Sequence, residues 1–209
     1  MANEVKFGDW IGKGFEIYKQ NLGILIPAGL VAVLLSAVTV GILAGPMMVG
    51  LILIVLRLLD GAEPKPAVGD VFKGFSYFAN SFLFCLVWGL ILFVANLVLA
   101  FIPCVGMILS YALSLAVGTL IMFAPFLIAE RNMAFWPASM ESLNAVKPQV
   151  FPLLGLYVVA SLIGSVGAIL CGIGIVATLP ITACILAVAY REYMAPAAAA
   201  PQAPVAPQA

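Results

Sequence analysis

The sequence predicts an all-α integral membrane protein with six transmembrane helices, arranged as three hairpins that are each preceded by a short amphipathic interfacial helix. Three observations lead to this prediction: the composition, the placement of the charges and the periodicity of the segments between the apolar blocks. Of the 209 residues, 65% are hydrophobic and only 9% are charged, and the mean hydropathy is +1.20. Soluble domains carry about 25% charged residues, so this chain has too few charges to cover a water-exposed surface.

Charged residues are excluded from three long blocks of the chain, which are Gln20–Leu56, Gly74–Ala129 and Pro148–Tyr190. A helical crossing needs about 20 residues, so the second and third blocks each hold two crossings, whereas the first is short for two and long for one. Clusters of Gly, Pro and Cys near the middle of each block suit tight turns between antiparallel helices. The predicted crossings are 21–39, 42–60, 80–102, 105–129, 150–171 and 174–191.

The charges also predict an orientation. With two crossings in each block, all nine Lys and Arg residues lie on one side of the membrane and none lies in the opposite turns. The positive-inside rule places that side in the cytoplasm. We therefore predict a multi-pass protein of the cell inner (plasma) membrane with both termini cytoplasmic.

Segments of similar pattern precede the three blocks and form a weak internal repeat: Asp9–Asn21, Asp70–Asn80 and Met140–Gln149. The first has helical amphipathicity, and the second keeps the pattern. We predict that these segments lie at the membrane interface, and that the interfacial residues are the following aromatic and apolar ones: Phe7, Trp10, Ile11, Phe15, Tyr18, Phe72 and Phe75. They form a platform for a protein partner or for anionic lipid, or they only anchor the hairpins; the pattern leaves both interpretations open.

The chain ends in a segment of different composition. Residues 195–209 contain only Ala, Pro, Gln and Val, which cannot form a packed core and favour an extended tail. We therefore divide the chain into a transmembrane domain, 1–194, and a disordered cytoplasmic tail, 195–209.

Several kinds of chemistry have no support in the composition. Histidine is absent, which removes the commonest general base and metal ligand. The nine basic residues equal the nine acidic ones, so no net charge attracts nucleic acid. The four cysteines form no CxxC pair. We predict a protein that is not an enzyme, with no cofactor, metal or nucleic acid, whose partners are the lipid bilayer and a protein at the cytoplasmic face.

Two cysteines fall in predicted turns on the non-cytoplasmic side, Cys104 and Cys171. If that side is oxidising, a disulfide joins the second and third hairpins. Two unpaired small hydrophobic cysteines are the alternative.

Polar side chains inside the crossings have two interpretations. They line a route for a solute, or they bond to neighbouring helices and to their own backbone. Asn96 is the strongest polar group within a predicted crossing. The complete set comprises Asn96, Ser110, Tyr111, Ser114, Tyr157, Ser161 and Ser165.

Short motifs distributed along residues 7–193 resemble those of a broad group of small bacterial six-helix inner-membrane proteins, similar to the membrane domain attached to some glycerophosphoryl diester phosphodiesterases. The motifs include Gly45–Gly50, Leu56–Pro64, Asp70–Phe75, Ala124–Glu130 and Ala187–Arg191. The resemblance implies the architecture of amphipathic helices alternating with hairpins. It implies no catalytic residue here, because the phosphodiesterase activity belongs to a separate soluble barrel.

The functional prediction is a non-enzymatic membrane protein that scaffolds or regulates partners at the cytoplasmic face. The alternative is a transporter or lipid-handling protein for an uncharged or amphipathic solute. That alternative requires a polar groove or cavity between the hairpins.

Overall fold

The computed structural model describes residues 6–102, 105–169 and 174–194. Within these residues the chain is all-helical, as predicted. Two 3₁₀ helices, Val68–Tyr77 and Lys147–Gln149, separate or precede α-helices. The α-helices are α1 Phe7–Gln20, α2 Leu22–Val38, α3 Ala44–Leu59, α4 Phe78–Leu99, α5 Val105–Ile121, α6 Ala124–Arg131, α7 Phe135–Val146, α8 Val150–Ile169 and α9 Gly174–Tyr193.

In the part of the chain that the structure describes, four helical segments are long and apolar enough to cross a membrane: Val68–Leu99, Val105–Arg131, Phe135–Ser165 and Gly174–Tyr193. Helices α1 and α2 add a fifth if the pair, which is bent by 92°, counts as one span. Helix α3 is apolar but has only 16 residues. The structure thus has the helices of a multi-pass membrane protein, while six crossings in three hairpins remain a prediction.

The bend between α1 and α2 lies at Asn21, where the amphipathic segment meets the apolar block. The Asn21 side chain donates a hydrogen bond to the Ile17 carbonyl oxygen at 2.9 Å. This bond satisfies a carbonyl at the end of α1, which has no partner further along its own helix. The chain can therefore change direction at Asn21 while the Ile17 carbonyl oxygen keeps a hydrogen-bond partner.

The predicted fourth crossing, 105–129, is broken into two helices. Helix α5 ends at Ile121 and α6 begins at Ala124, because Pro125 has no backbone N–H to continue the helix. Ser142 of α7 closes the break: its hydroxyl donates to the Leu120 carbonyl at 2.8 Å and accepts from the Phe123 N–H at 3.2 Å. A buried serine thus pairs backbone groups that the break leaves open.

The core is formed by large side chains contributed by most of the helices. Phe126 stacks on Tyr190 with ring centroids 5.2 Å apart, and Phe123 lies against the same tyrosine at 6.1 Å. The largest fully buried side chains include Trp10, Leu25, Met47, Ile54, Phe123, Phe126, Leu127, Leu153, Leu156 and Tyr190. The α6–α9 contact is therefore the aromatic centre of the bundle.

Candidate functional site

Charged side chains from distant parts of the chain meet at the ends of α3, α6 and α9. Arg191 binds the Asp60 carboxylate through Nε, at 3.0 Å, and through Nη2; its Nη1 contacts Glu130. Tyr190 donates its hydroxyl hydrogen to Glu130 at 2.6 Å. We call Asp60, Glu130, Tyr190 and Arg191 the ionic rim. The Arg191 side chain is only 12% exposed, so this pairing joins three helix ends in a partly desolvated setting.

Helix α1 is attached next to the ionic rim. Trp10 donates its indole N–H to Glu192 at 2.8 Å, and Lys13 forms an ion pair with the same carboxylate. The hydrogen bond and the negative charge of Glu192 raise the pKa of Lys13 above its usual value. Lys13 thus remains charged at neutral pH and holds α1 against α9.

The predicted interfacial face of α1 is divided between two environments. Trp10 and Tyr18 are buried, so their side chains face the bundle, because Gly14 between them allows close contact with α9. A Cβ on Gly14 would lie 2.7 Å from the Ile185 Cα. Phe7 and Phe15 are exposed, at 38% and 43%, and Ile11 is partly buried.

The second amphipathic segment forms a row of stacked phenylalanines. A 3₁₀ helix has three residues per turn, so side chains three apart eclipse each other. Phe72, Phe75, Phe78 and Phe82 accordingly stack in sequence, with ring centroids 6.2, 6.4 and 5.7 Å apart and planes nearly parallel. Phe72 and Phe75 are 48% and 40% exposed. We call these four residues the phenylalanine row.

A groove of about 350 Å³ lies between the end of α4 and the start of α5. It brings together four of the polar residues singled out in the sequence, Asn96, Ser110, Tyr111 and Ser114, with Ala100, Gly106 and Met107. Its lining contains no ionisable Asp, Glu, Lys or Arg. The groove is open on one side and does not enter the packed core.

Asn96 forms part of the wall of this groove. Its Nδ2 donates to the Leu92 carbonyl oxygen at 2.8 Å and to the Ser114 hydroxyl at 3.4 Å. Its Oδ1 is buried without a hydrogen-bond partner among the described residues. Asn96 therefore connects α4 to α5, as the packing interpretation expects, and also lines the groove, as the alternative expects.

The remaining predicted polar residues lie elsewhere, on α8. Tyr157 packs over Gly118 of α5, where a Cβ would lie 2.4 Å from the tyrosine oxygen. Ser165 donates to the Ser161 carbonyl oxygen at 2.8 Å. These contacts are local or between helices, and the structure does not bring the three residues into the groove.

Two threonines of α9 make interhelical bonds that the sequence analysis missed. Thr178 donates to the Gly164 carbonyl at 3.1 Å and Thr182 to the Ala160 carbonyl at 3.2 Å, so both join α9 to α8. Their spacing of four residues, opposite small residues of α8, was the available signal.

Two further predictions from the sequence concern a disulfide and the absence of a metal site. Cys104 and Cys171 lie outside the described residues, so the disulfide stays a prediction. Within the described ranges, no group of three or more His, Cys, Asp or Glu side chains is arranged to hold a metal ion.

No known protein family, no curated protein and no solved structure matches this chain.

Proposed function

We propose that this chain is a non-enzymatic scaffold or regulatory protein of the bacterial inner membrane, which binds a protein partner at its cytoplasmic face. In this proposal the six apolar helices cross the membrane as three hairpins, and the ionic rim marks the cytoplasmic end. The resemblance to small six-helix inner-membrane proteins supports the same arrangement.

The observation that carries the proposal is the combination of fixed attachment and exposed aromatic surface in the amphipathic segments. Trp10, Gly14 and Lys13 attach α1 to α9, while Phe7 and Phe15 of the same helix stay exposed. Aromatic side chains held on a rigid base are typical of binding hot spots, because little conformational entropy is lost when a partner binds.

The phenylalanine row extends this surface on the second segment. Asp70 binds Arg57 at 3.0 Å and Lys73 at 2.8 Å, which fixes the 3₁₀ helix to the end of α3. Phe72 and Phe75 therefore project from a supported backbone next to charged groups. A surface with apolar side chains and a charged rim is the usual composition of a protein interface.

The experiment compares three variants of the full chain: Phe15→Ala, Phe72→Ala combined with Phe75→Ala, and Phe93→Ala as the matched control. Phe93 is 64% exposed but lies in the middle of α4, away from the amphipathic segments. Each is expressed in the native host, extracted in lipid–polymer discs and analysed by quantitative mass spectrometry. We expect a stoichiometric protein partner that is lost from the first two variants and kept by Phe93→Ala. Equal partner recovery from all variants, or no stoichiometric partner of the wild-type chain, contradicts the proposal.

The groove favours a second function, the handling of an amphipathic molecule. The groove lies between α4 and α5, the two helices of one predicted hairpin, and not between hairpins as this function was expected to require; the core beside it is filled by apolar side chains. Transport through the bundle interior has no comparable support among the described residues.

A further inference from the structure

We propose that the α4–α5 groove is a binding site for one diacyl lipid, whose ester carbonyl groups accept hydrogen bonds from Ser110 and Tyr111. This inference is independent of the protein partner proposed above, because the groove and the amphipathic segments are on different parts of the fold.

The first step of the argument concerns hydroxyl groups in membrane helices. Most helical Ser and Thr side chains here donate to a backbone carbonyl four residues earlier, the ordinary way to satisfy a hydroxyl in an apolar environment. Ser81, Thr119, Ser139 and Ser165 do so at 2.7 to 2.8 Å. Ser110 and Tyr111 make no hydrogen bond to another described residue. Their hydroxyls are therefore available to a ligand.

The second step concerns depth. Ser110 and Tyr111 are five and six residues from the start of α5 at Val105, which at 1.5 Å per residue places them about 8–9 Å along the helix. At that depth in a bilayer, water becomes scarce, and an unpaired donor costs free energy. Ester carbonyls of diacyl lipids lie at the boundary between headgroups and hydrocarbon and offer acceptors without competing donors.

The third step concerns charge and apolar surface. The groove lining has no charged side chain, so it cannot select the phosphate or an ionic headgroup. Phe93 lies one helical turn before Asn96 and is 64% exposed, and Leu97 lies one turn before Ala100 and is 52% exposed. An acyl chain can lie along this stripe while the ester region occupies the groove. The volume of about 350 Å³ is at the lower end of the range of small-molecule sites.

The Asn96–Ser114 contact prepares the groove for an acceptor ligand. Because Asn96 donates to Ser114 Oγ, the hydroxyl hydrogen of Ser114 must point away from that bond. Ser114 thus becomes a third hydroxyl donor beside Ser110 and Tyr111. A ligand with acceptor oxygens can pair with these three hydroxyls, whereas the buried Asn96 Oδ1, itself an acceptor, receives no hydrogen bond from such a ligand.

The test is native mass spectrometry of the delipidated full-length chain, titrated with dioleoyl phosphatidylcholine and with the dialkyl ether lipid of the same headgroup. The ether lipid lacks both carbonyl oxygens but keeps the chains and the charge. We expect one bound diester lipid, with affinity for the ether lipid lower by about fivefold for each hydrogen bond lost. Dioleoyl phosphatidylglycerol is expected to bind as well as the phosphatidylcholine, because no charged group lines the site.

Three variants complete the experiment. Ser110→Ala combined with Tyr111→Phe should lower diester binding toward the level of the ether lipid, because Ser114 is then the one hydroxyl donor left in the groove. Ser165→Ala, which removes an exposed hydroxyl on α8, should leave binding unchanged. Ala100→Leu keeps the hydroxyls but fills the groove, and it decides the question if the double variant does not fold. Equal binding of diester and ether lipids by the wild-type chain overturns the proposal, as does unchanged binding by a folded double variant or by Ala100→Leu. A dimer that covers the groove and excludes lipid also overturns it.

Discussion

A Cβ atom placed on Gly50 of α3 would lie 1.8 Å from the carbonyl oxygen of Val71 in the 3₁₀ helix. Gly74 lies on the other side of this contact, and a Cβ added to it would lie 1.9 Å from the Pro46 carbonyl oxygen. The two backbones therefore touch without intervening side chains. This contact explains why both positions are glycine, and it supports the backbone beneath the phenylalanine row.

The first prediction follows from this close contact. Gly50→Ala should destabilise the protein by about 1–3 kcal/mol, because the added methyl group meets backbone that cannot rotate away. Gly89→Ala is the matched control, since nothing lies within 4 Å of its added Cβ. Alanine is the better helix former, so the control should be neutral or stabilising by up to about 1 kcal/mol. Thermal unfolding in detergent measures both; equal melting temperatures for the two variants would refute the contact.

The second prediction concerns the ionic rim. Arg191→Gln leaves the carboxylates of Asp60 and Glu130 close together without a cation, at a site where Arg191 is 12% and Glu130 25% exposed. We expect the free energy of unfolding to fall by about 2 kcal/mol, which lies between the effects of breaking an exposed and a buried ion pair. Arg131→Gln breaks the exposed pair with Glu141, whose side chains are 45% and 37% exposed, and should cost less than about 1 kcal/mol.

Resistance to unfolding by sodium dodecyl sulfate provides a second measurement of the same two variants. If Arg191→Gln is no less resistant than Arg131→Gln, the ionic rim does not join the helix ends as described.

The third prediction tests the number of crossings and the orientation. In a chain whose native cysteines are replaced, Lys65→Cys and Lys147→Cys should react with a membrane-impermeant maleimide from the cytoplasmic side only. Val40→Cys, in the α2–α3 turn and 93% exposed, should react only from the opposite side, and so should Phe101→Cys, which is 84% exposed. Labelling of Val40→Cys and Lys65→Cys from the same side would mean that α2 and α3 enter and leave the membrane without crossing it.

Much of the local structure was predictable because it depends on near neighbours in the chain. The break at Asn21, the starts of α5 and α9 and the interruption at Pro125 follow from charge, Gly and Pro. The start of α7 was harder to predict from the sequence: the helix begins at Phe135, whereas the predicted segment begins at Met140. The hydrogen bonds of Ser142 in α7 to backbone groups of the α5–α6 break join residues that are 19 and 22 positions apart, and no local pattern encodes them.

The candidate sites divide in the same way. Asn96, Ser110, Tyr111 and Ser114 stood out as polar residues in apolar helices, but their meeting in one groove depends on how α4 and α5 pack. Tyr157 stood out equally and lies over Gly118 instead. Helical periodicity identifies a face but does not identify the neighbour that the face meets.

The sequence by itself determined that the chain forms apolar helices suited to a membrane, because long uncharged blocks can satisfy their backbone hydrogen bonds in lipid only as helices. Its charges and breakers also located most helix ends. Only the tertiary structure decided that Trp10 and Tyr18 face the bundle while Phe7 and Phe15 stay exposed. Both pairs have the same apolar character, and what separates them is the contact between Gly14 and Ile185, residues far apart in the chain. Such contacts depend on the shapes of two surfaces together, which a one-dimensional pattern does not contain.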